Sequence, residues 1–443
     1  MATESIPGAG AAVPSIWRSA LGTLATRAID IPSRYGFHIL VAWKLGLVDA
    51  GGFYVVFSVL TLAAGLGRLG IDRAMTREVA SALALGHPAR ANAVIRRGMA
   101  IILALSVAAA AALALAAPAI AQHLFHSPRL AMPLVAGGVA IVPLCVSVGA
   151  AGALAGLHRI AASQMIYSWL WPALFCLMAA AMPLTLDMAM VLIVAATSAT
   201  ALFSLLLLVR YRQAGAASAE RAPPLMALGW SLFTTEIVQL LLAGLPGLVL
   251  GVVASEAVVG AFAVAWRLAL VLNLLVVAVG AMASPRFAHC AAQGDSEGLR
   301  RTAAQSLGLV LALGIVPLVV LAVGAPWLLA LFGKGFASGT AVLRLLLLGQ
   351  AVLMLGATTP ELLGMTGHER AMQHLNTLAI AAYTPLLCLL AWLWEGEGAA
   401  LANLFAALVS GAGALWLARR WLGFTPPGAL LAMLRTHRSR TRA

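Results

Sequence analysis

Twelve apolar stretches follow one another through this sequence with short connections between them. They run over roughly 18–45, 51–71, 97–122, 132–156, 161–184, 187–210, 226–252, 257–284, 304–332, 340–364, 373–394 and 398–418. A helix needs about 20 apolar residues to cross the hydrocarbon core of a bilayer, and these stretches have that length. They are rich in Leu and Ala and do not alternate, which argues against a strand barrel. Only 10% of the 443 residues are charged, too few for a soluble domain. The chain reads as an all-α polytopic membrane protein with about 12 transmembrane helices and no room for a large domain outside the membrane.

The basic residues fall mostly at one end of the spans. Loops after even-numbered spans and the tails hold Arg73, Arg77, Arg90, Arg96, Arg97, Arg159, Arg210, Arg212, Arg221, Arg286, Arg300, Arg301, Arg370 and the C-terminal arginines. The opposite loops hold little beyond Lys44, Arg129 and Lys334. The positive-inside rule then places both termini in the cytoplasm. The same asymmetry accounts for most of the net charge of +13, so no nucleic-acid partner is expected. The tail RTHRSRTRA suits the anionic inner leaflet. The N-terminal MATESIPGAGAAVPS lacks the features of a cleavable signal peptide and reads as a short tail. Cys145, Cys176, Cys290 and Cys388 show neither metal spacing nor a disulfide framework, so no metal site is expected.

An internal repeat organises the spans. APAIAQHLF (117–125) precedes a span ending in AGLHR, and APWLLALF (325–332) precedes one ending in TGHER. GFY (52–54) pairs with GAF (260–262), and Arg96–Arg97 with Arg300–Arg301. All four pairs share an offset of about half the chain, which chance rarely produces. Each half holds six spans and enters the membrane in the same direction, as a parallel repeat does. This divides the chain into an N-terminal lobe, 1–212, and a C-terminal lobe, 213–443, joined by the polar stretch RYRQAGAASAERAPP and facing each other across a cleft.

Charges inside the spans need a reason, because each costs about 2.5–3.5 kcal/mol at mid-depth. The first span carries Arg27, Asp30, Arg34 and His38 on one helical face. Its repeat partner carries Thr234, Thr235, Glu236 and Gln239, and the eighth span adds Arg267. The simplest arrangement turns these groups into the cleft, within reach of water and an anionic substrate. Pairs such as Arg27–Asp30 and Asp30–Arg34 also fit a plainer role as contacts that fix the fold. The surplus of positive charge favours the cleft; for Glu236 the two readings are even. Helices bend at proline and glycine, and Pro32 and Gly36 are read here as a hinge of span one. Arg344 is expected to snorkel to the interface, and Glu361 to be structural. GIDRAMTREV (70–79) reads as a headgroup anchor in which Asp72, Arg73, Arg77 and Glu78 pair locally. No nucleotide loop, zinc-protease helix or nucleophile elbow is present, and no catalytic residue is assigned.

In their order and spacing, LGLVDAGGFYVVFS, LGIDRAMTREVA, LFGKGFASGTAVLRLLLLGQ and MTGHERAMQHLN resemble the polysaccharide flippases, O-antigen type, of the multidrug/oligosaccharidyl-lipid/polysaccharide exporter superfamily. The resemblance covers nearly the whole chain. It implies two six-helix lobes around a cavity that opens alternately to either side of a bacterial inner membrane, and a non-enzymatic function. The implied cargo is a polyprenyl-pyrophosphate-linked oligosaccharide for surface polysaccharide. The substrate site would be cationic, formed by Arg27, Arg34 and Arg267 with His38, and no cofactor is implied beyond a proton or sodium gradient acting through Asp30 or Glu236. Partners would be membrane lipids and a glycan polymerase, with the monomer as the unit. Alternatives are a cation-coupled multidrug exporter, which would want an acidic cavity, a lipid II flippase, and a scaffold or glycan-assembly enzyme, for which the loops are too short.

Overall fold

The computed structural model describes residues 16–211, 224–333 and 335–440. Among them are fourteen α-helices and no strand. Nine helical stretches are long and apolar enough to cross a membrane. Two of these are broken in the middle and supply two spans each. Helix α1 (Ile16–Leu66) breaks at Gly46, whose φ of 72° and ψ of −179° suit only a residue without a Cβ. Helix α13 (Glu369–Leu422) breaks at Trp394 and Glu395. Helix α8 (Leu225–Val253) supplies the twelfth span. The breaks fall between the spans read from the sequence.

The repeat is visible in the local geometry. Helices α4 (Ala131–Gly156) and α11 (Thr340–Leu355) each follow a single 3-10 turn, Pro128–Leu130 and Phe336–Gly339. Helix α5 (Ile160–Gln164) and α13 each start just after a left-handed residue, His158 and Gly367. The separation from Ala131 to Thr340 equals that from Ile160 to Glu369. The two six-helix lobes are therefore copies of one unit. The boundary expected between them lies at 212–223, outside the described residues.

The remaining helices of the first lobe are α2 (Ile71–Ala84), α3 (Pro88–Ala119), α6 (Leu170–Ala180) and α7 (Leu186–Arg210). In the second they are α9 (Glu256–Gln293), α10 (Ser296–Ala330), α12 (Thr359–Met365) and α14 (Pro426–Arg440). Helix α2 corrects one sequence expectation. Arg73 and Arg77 are exposed, but Asp72 is buried 3.8 Å from Arg68, and Glu78 reaches Arg90 at 3.8 Å. Both carboxylates turn inward because the apolar face of α2, with Ile71, Met75 and Val79, packs on the lobe and carries them with it.

The lobes meet where the second half of α1 packs on α8. Gly244, Gly247 and Gly251 share one face of α8 and lie against Leu62, Ser58 and Val55. A Cβ on Gly247 would overlap the Ser58 hydroxyl. Lipid offers no hydrophobic drive for helix association, so close backbone approach at small residues supplies the contact.

Lys44, one of the few cations of its end, has a local task. Its Nζ donates to the carbonyls of Ala179 (2.7 Å), Ala180 (3.0 Å) and Met182 (2.8 Å), at the end of α6 where helical donors have run out. This joins span one to span five. Lys44→Met is expected to lower stability by about 1.5–3 kcal/mol, read as a lower midpoint of thermal unfolding in detergent, with Lys44→Arg losing less.

Candidate functional site

The polar face of α1 is oriented by an aromatic anchor. Phe37 is buried, with ring centroids 4.8 Å from Phe175 and 5.1 Å from Trp171 on α6. With Phe37 fixed in the first lobe, its neighbours on the helix line the internal spaces of the protein. The backbone of α1 stays helical through Pro32 and Gly36, so Asp30, Arg34 and His38 share a face. Arg34 Nε is 3.0 Å from Asp30 Oδ1, and its side chain is half exposed. The side chains of Arg27, Thr234, Thr235, Glu236 and Gln239 lie outside the described residues.

A cavity of about 200 Å³ sits at the seam of the lobes, between α1 and the pair α8–α9. His38, Tyr54 and Thr61 line one side, and Gly247, Trp266 and Arg267 the other. The Arg267 guanidinium lies 4.0 Å from the centre of the Tyr54 ring. Its Nη1 donates to the Ala263 carbonyl at 2.7 Å, and its Nε is buried without a partner among the described residues. Tyr54 in turn donates its hydroxyl to the His38 carbonyl at 3.2 Å. The His38 ring carries a second buried nitrogen without a partner, Nδ1. Arg267 is thus held across the seam by an aromatic face and one carbonyl, with no carboxylate among the described residues to neutralise it.

A second space, of about 340 Å³, lies within the first lobe. Arg34 and Arg68 line it, and it shares His38, Phe57 and Thr61 with the seam cavity, so the two adjoin. Arg68 pairs with Asp72 and donates Nε to the Ala64 carbonyl at 3.1 Å. Of the three described guanidiniums around these spaces, two have acidic partners, and Arg267 has none among the described residues. The sequence reading missed Arg68 and Tyr54. For Arg68, Asp72 four residues on was a usable signal. Arg344 lies away from both spaces; it is exposed and donates to the Ala322 carbonyl at 3.2 Å. Glu361 lies against Gly280 and lines neither.

The lobes are tied at the end that carries Gly46. Arg129, of the first lobe, bonds Asp49 at 3.2 Å and reaches Glu256, of the second, through Nε at 3.0 Å and through Nη2. Ser127 adds its hydroxyl to Glu256 at 2.8 Å. Glu256 is the first residue of α9, where the helix dipole favours a carboxylate.

A family model described as "polysaccharide biosynthesis protein" matches residues 17–290. No curated protein matches the chain. Among solved structures, the chain is similar to an inward-facing multidrug resistance MATE family transporter of the MOP superfamily, with a TM-score of 0.74 at 13% identity over 90% of this chain and 98% of that one. It is similar to the lipid II flippase MurJ in an inward closed conformation, at 0.71 and 14% over 90% and 87%. An outward-facing MATE family transporter scores 0.58 at 14%, over 92% and 95%. These likenesses show the fold.

The tie at Arg129 predicts a change in access. With the four native cysteines replaced, Ser58→Cys on the seam is expected to react several-fold faster with an impermeant maleimide, applied from the Gly46 side, when Arg129→Ala is added.

Proposed function

The chain belongs to the polysaccharide biosynthesis protein family, and we propose that it carries a polyprenyl-pyrophosphate-linked oligosaccharide from the inner to the outer leaflet of the bacterial cytoplasmic membrane. The observation that supports this most is Arg267, a guanidinium at the seam of two membrane lobes with no carboxylate beside it among the described residues. An anion entering the seam cavity would supply the missing charge. A pyrophosphate suits the task, because guanidinium groups bind phosphate oxygens bidentately and stay charged in a poorly hydrated space. Arg34 in the adjoining space offers a second such group, and Arg27 would extend the cationic face by about two turns.

Transport then follows from the arrangement of the lobes. With the arginine-rich end in the cytoplasm, the Arg129–Glu256 tie closes the outer side, and substrate enters from the inner leaflet. Charge neutralisation at the seam favours rearrangement of the lobes, breaking the tie and opening the outer side. Pro32 and Gly36 are the positions at which α1 would bend. A proton or sodium gradient would act through Asp30, which is spent on Arg34 in this state, or Glu236. Both spaces form within one chain, so the monomer is the working unit. Lipid II carries the same pyrophosphate, and complementation separates the two cargoes.

Arg34→Ala and Arg267→Ala are each expected to lower surface glycan at least tenfold at unchanged membrane levels, since a charge-assisted contact to phosphate is worth about 1.5–3 kcal/mol. Arg267→Lys should fall between. The wild-type gene should not rescue cells depleted of their lipid II flippase. Normal glycan in the Arg34→Ala/Arg267→Ala double variant would overturn the assignment.

A further inference from the structure

The space within the first lobe is built differently from the seam. Its wall includes a π-helical turn, Met165–Trp169, between α5 and α6. Such a turn costs helical regularity and is often found at functional sites. A physical cause is at hand: Pro172 has no N–H to give the Ser168 carbonyl, and the wider turn absorbs the mismatch. Beside and beyond this turn, Tyr167, Ser168, Trp171 and Pro172 all line the same space.

The rings there are held rigidly. Trp171 meets Phe37 edge-on at 5.1 Å and lies 6.2 Å from Phe57. Ser168 is buried, and no described residue bonds its hydroxyl. Thr61 donates to its own helix, at the Phe57 carbonyl, and keeps acceptor capacity toward the space. Flat apolar rings beside unspent hydroxyls match the two faces of a pyranose: its axial C–H groups pack on an aromatic face, and its equatorial hydroxyls seek hydrogen bonds. Bulk lipid tails would gain nothing from the hydroxyls, and a second phosphate would find Arg68 already paired with Asp72.

We infer that this space is a sugar subsite, in which the monosaccharide next to the pyrophosphate stacks on Trp171 and bonds Ser168 while the phosphates sit between Arg34 and Arg267. The inference rests on the proposed cargo, and it adds where the glycan is read. The shared lining at His38, Phe57 and Thr61 lets one ligand occupy both spaces. Sugar selectivity then resides in the first lobe, and the second contributes charge.

The test uses purified full-length protein in nanodiscs and two probes, bare polyprenyl pyrophosphate and the same lipid carrying one N-acetylhexosamine. Wild type is expected to bind the sugar-bearing probe about fivefold more tightly, a margin in the range of aromatic stacking. Trp171→Ala should erase the margin; because Phe175 still holds Phe37, binding of the bare probe should fall less than that of the sugar-bearing one. Ser168→Ala, too small a change to threaten folding, should reduce it, and Trp171→Phe should retain part. No margin in wild type, or equal losses on both probes in Trp171→Ala and Ser168→Ala, would overturn the subsite. Failure of wild type to bind the bare probe would instead overturn the phosphate reading.

Discussion

The Arg267–Tyr54 contact is the constraint from which the interior can be understood. A guanidinium inside a bilayer costs up to about 2.5–3.5 kcal/mol. A desolvated cation–π contact returns about 2 kcal/mol, and the bond to the Ala263 carbonyl adds about 1.5–3 kcal/mol. The two sides nearly balance, so the charge is tolerated with no carboxylate among the described residues. Had Arg267 been paired with an acid, the seam would be neutral and an anion would have little to gain there. The aromatic partner keeps the charge available while holding it in place.

That arrangement makes α1 the shared element of the molecule. Its first half turns Arg34 and His38 toward the two spaces because Phe37 is locked against α6. Its second half presents Tyr54 to Arg267 and packs on the glycine face of α8. The break at Gly46 separates these tasks, and the tie from Arg129 to Asp49 and Glu256 sits beside it. A movement that opens the Gly46 end must therefore act on the same helix that supports the cation. Charge at the seam and closure of the Gly46 end both act on α1.

The fold was largely legible in the sequence because its determinants are local or periodic. Span lengths follow from bilayer thickness, and the shared offset of four motifs revealed the repeat that the 3-10 turns before α4 and α11 display. The site was legible only in part. Arg34, His38 and Arg267 stood out as polar groups in apolar runs. Tyr54 did not, since one tyrosine in an apolar span signals nothing until its partner is known. Asp72 was misplaced because its burial depends on which face of α2 packs. Trp171 and Ser168, three residues apart, share a helical face, but neither carries a charge that would mark that face as the wall of a polar space. Glu256 was not singled out in the sequence, because its partner Arg129 lies in the other lobe.

Binding of ligands that differ only in their phosphate tests the central claim most directly. In nanodiscs containing the wild-type protein, polyprenyl pyrophosphate should bind at least tenfold more tightly than the matching neutral polyprenol, and added salt should weaken only the former. Equal affinity for the two lipids would mean that Arg267 is a structural charge, and that the seam does not hold an anion.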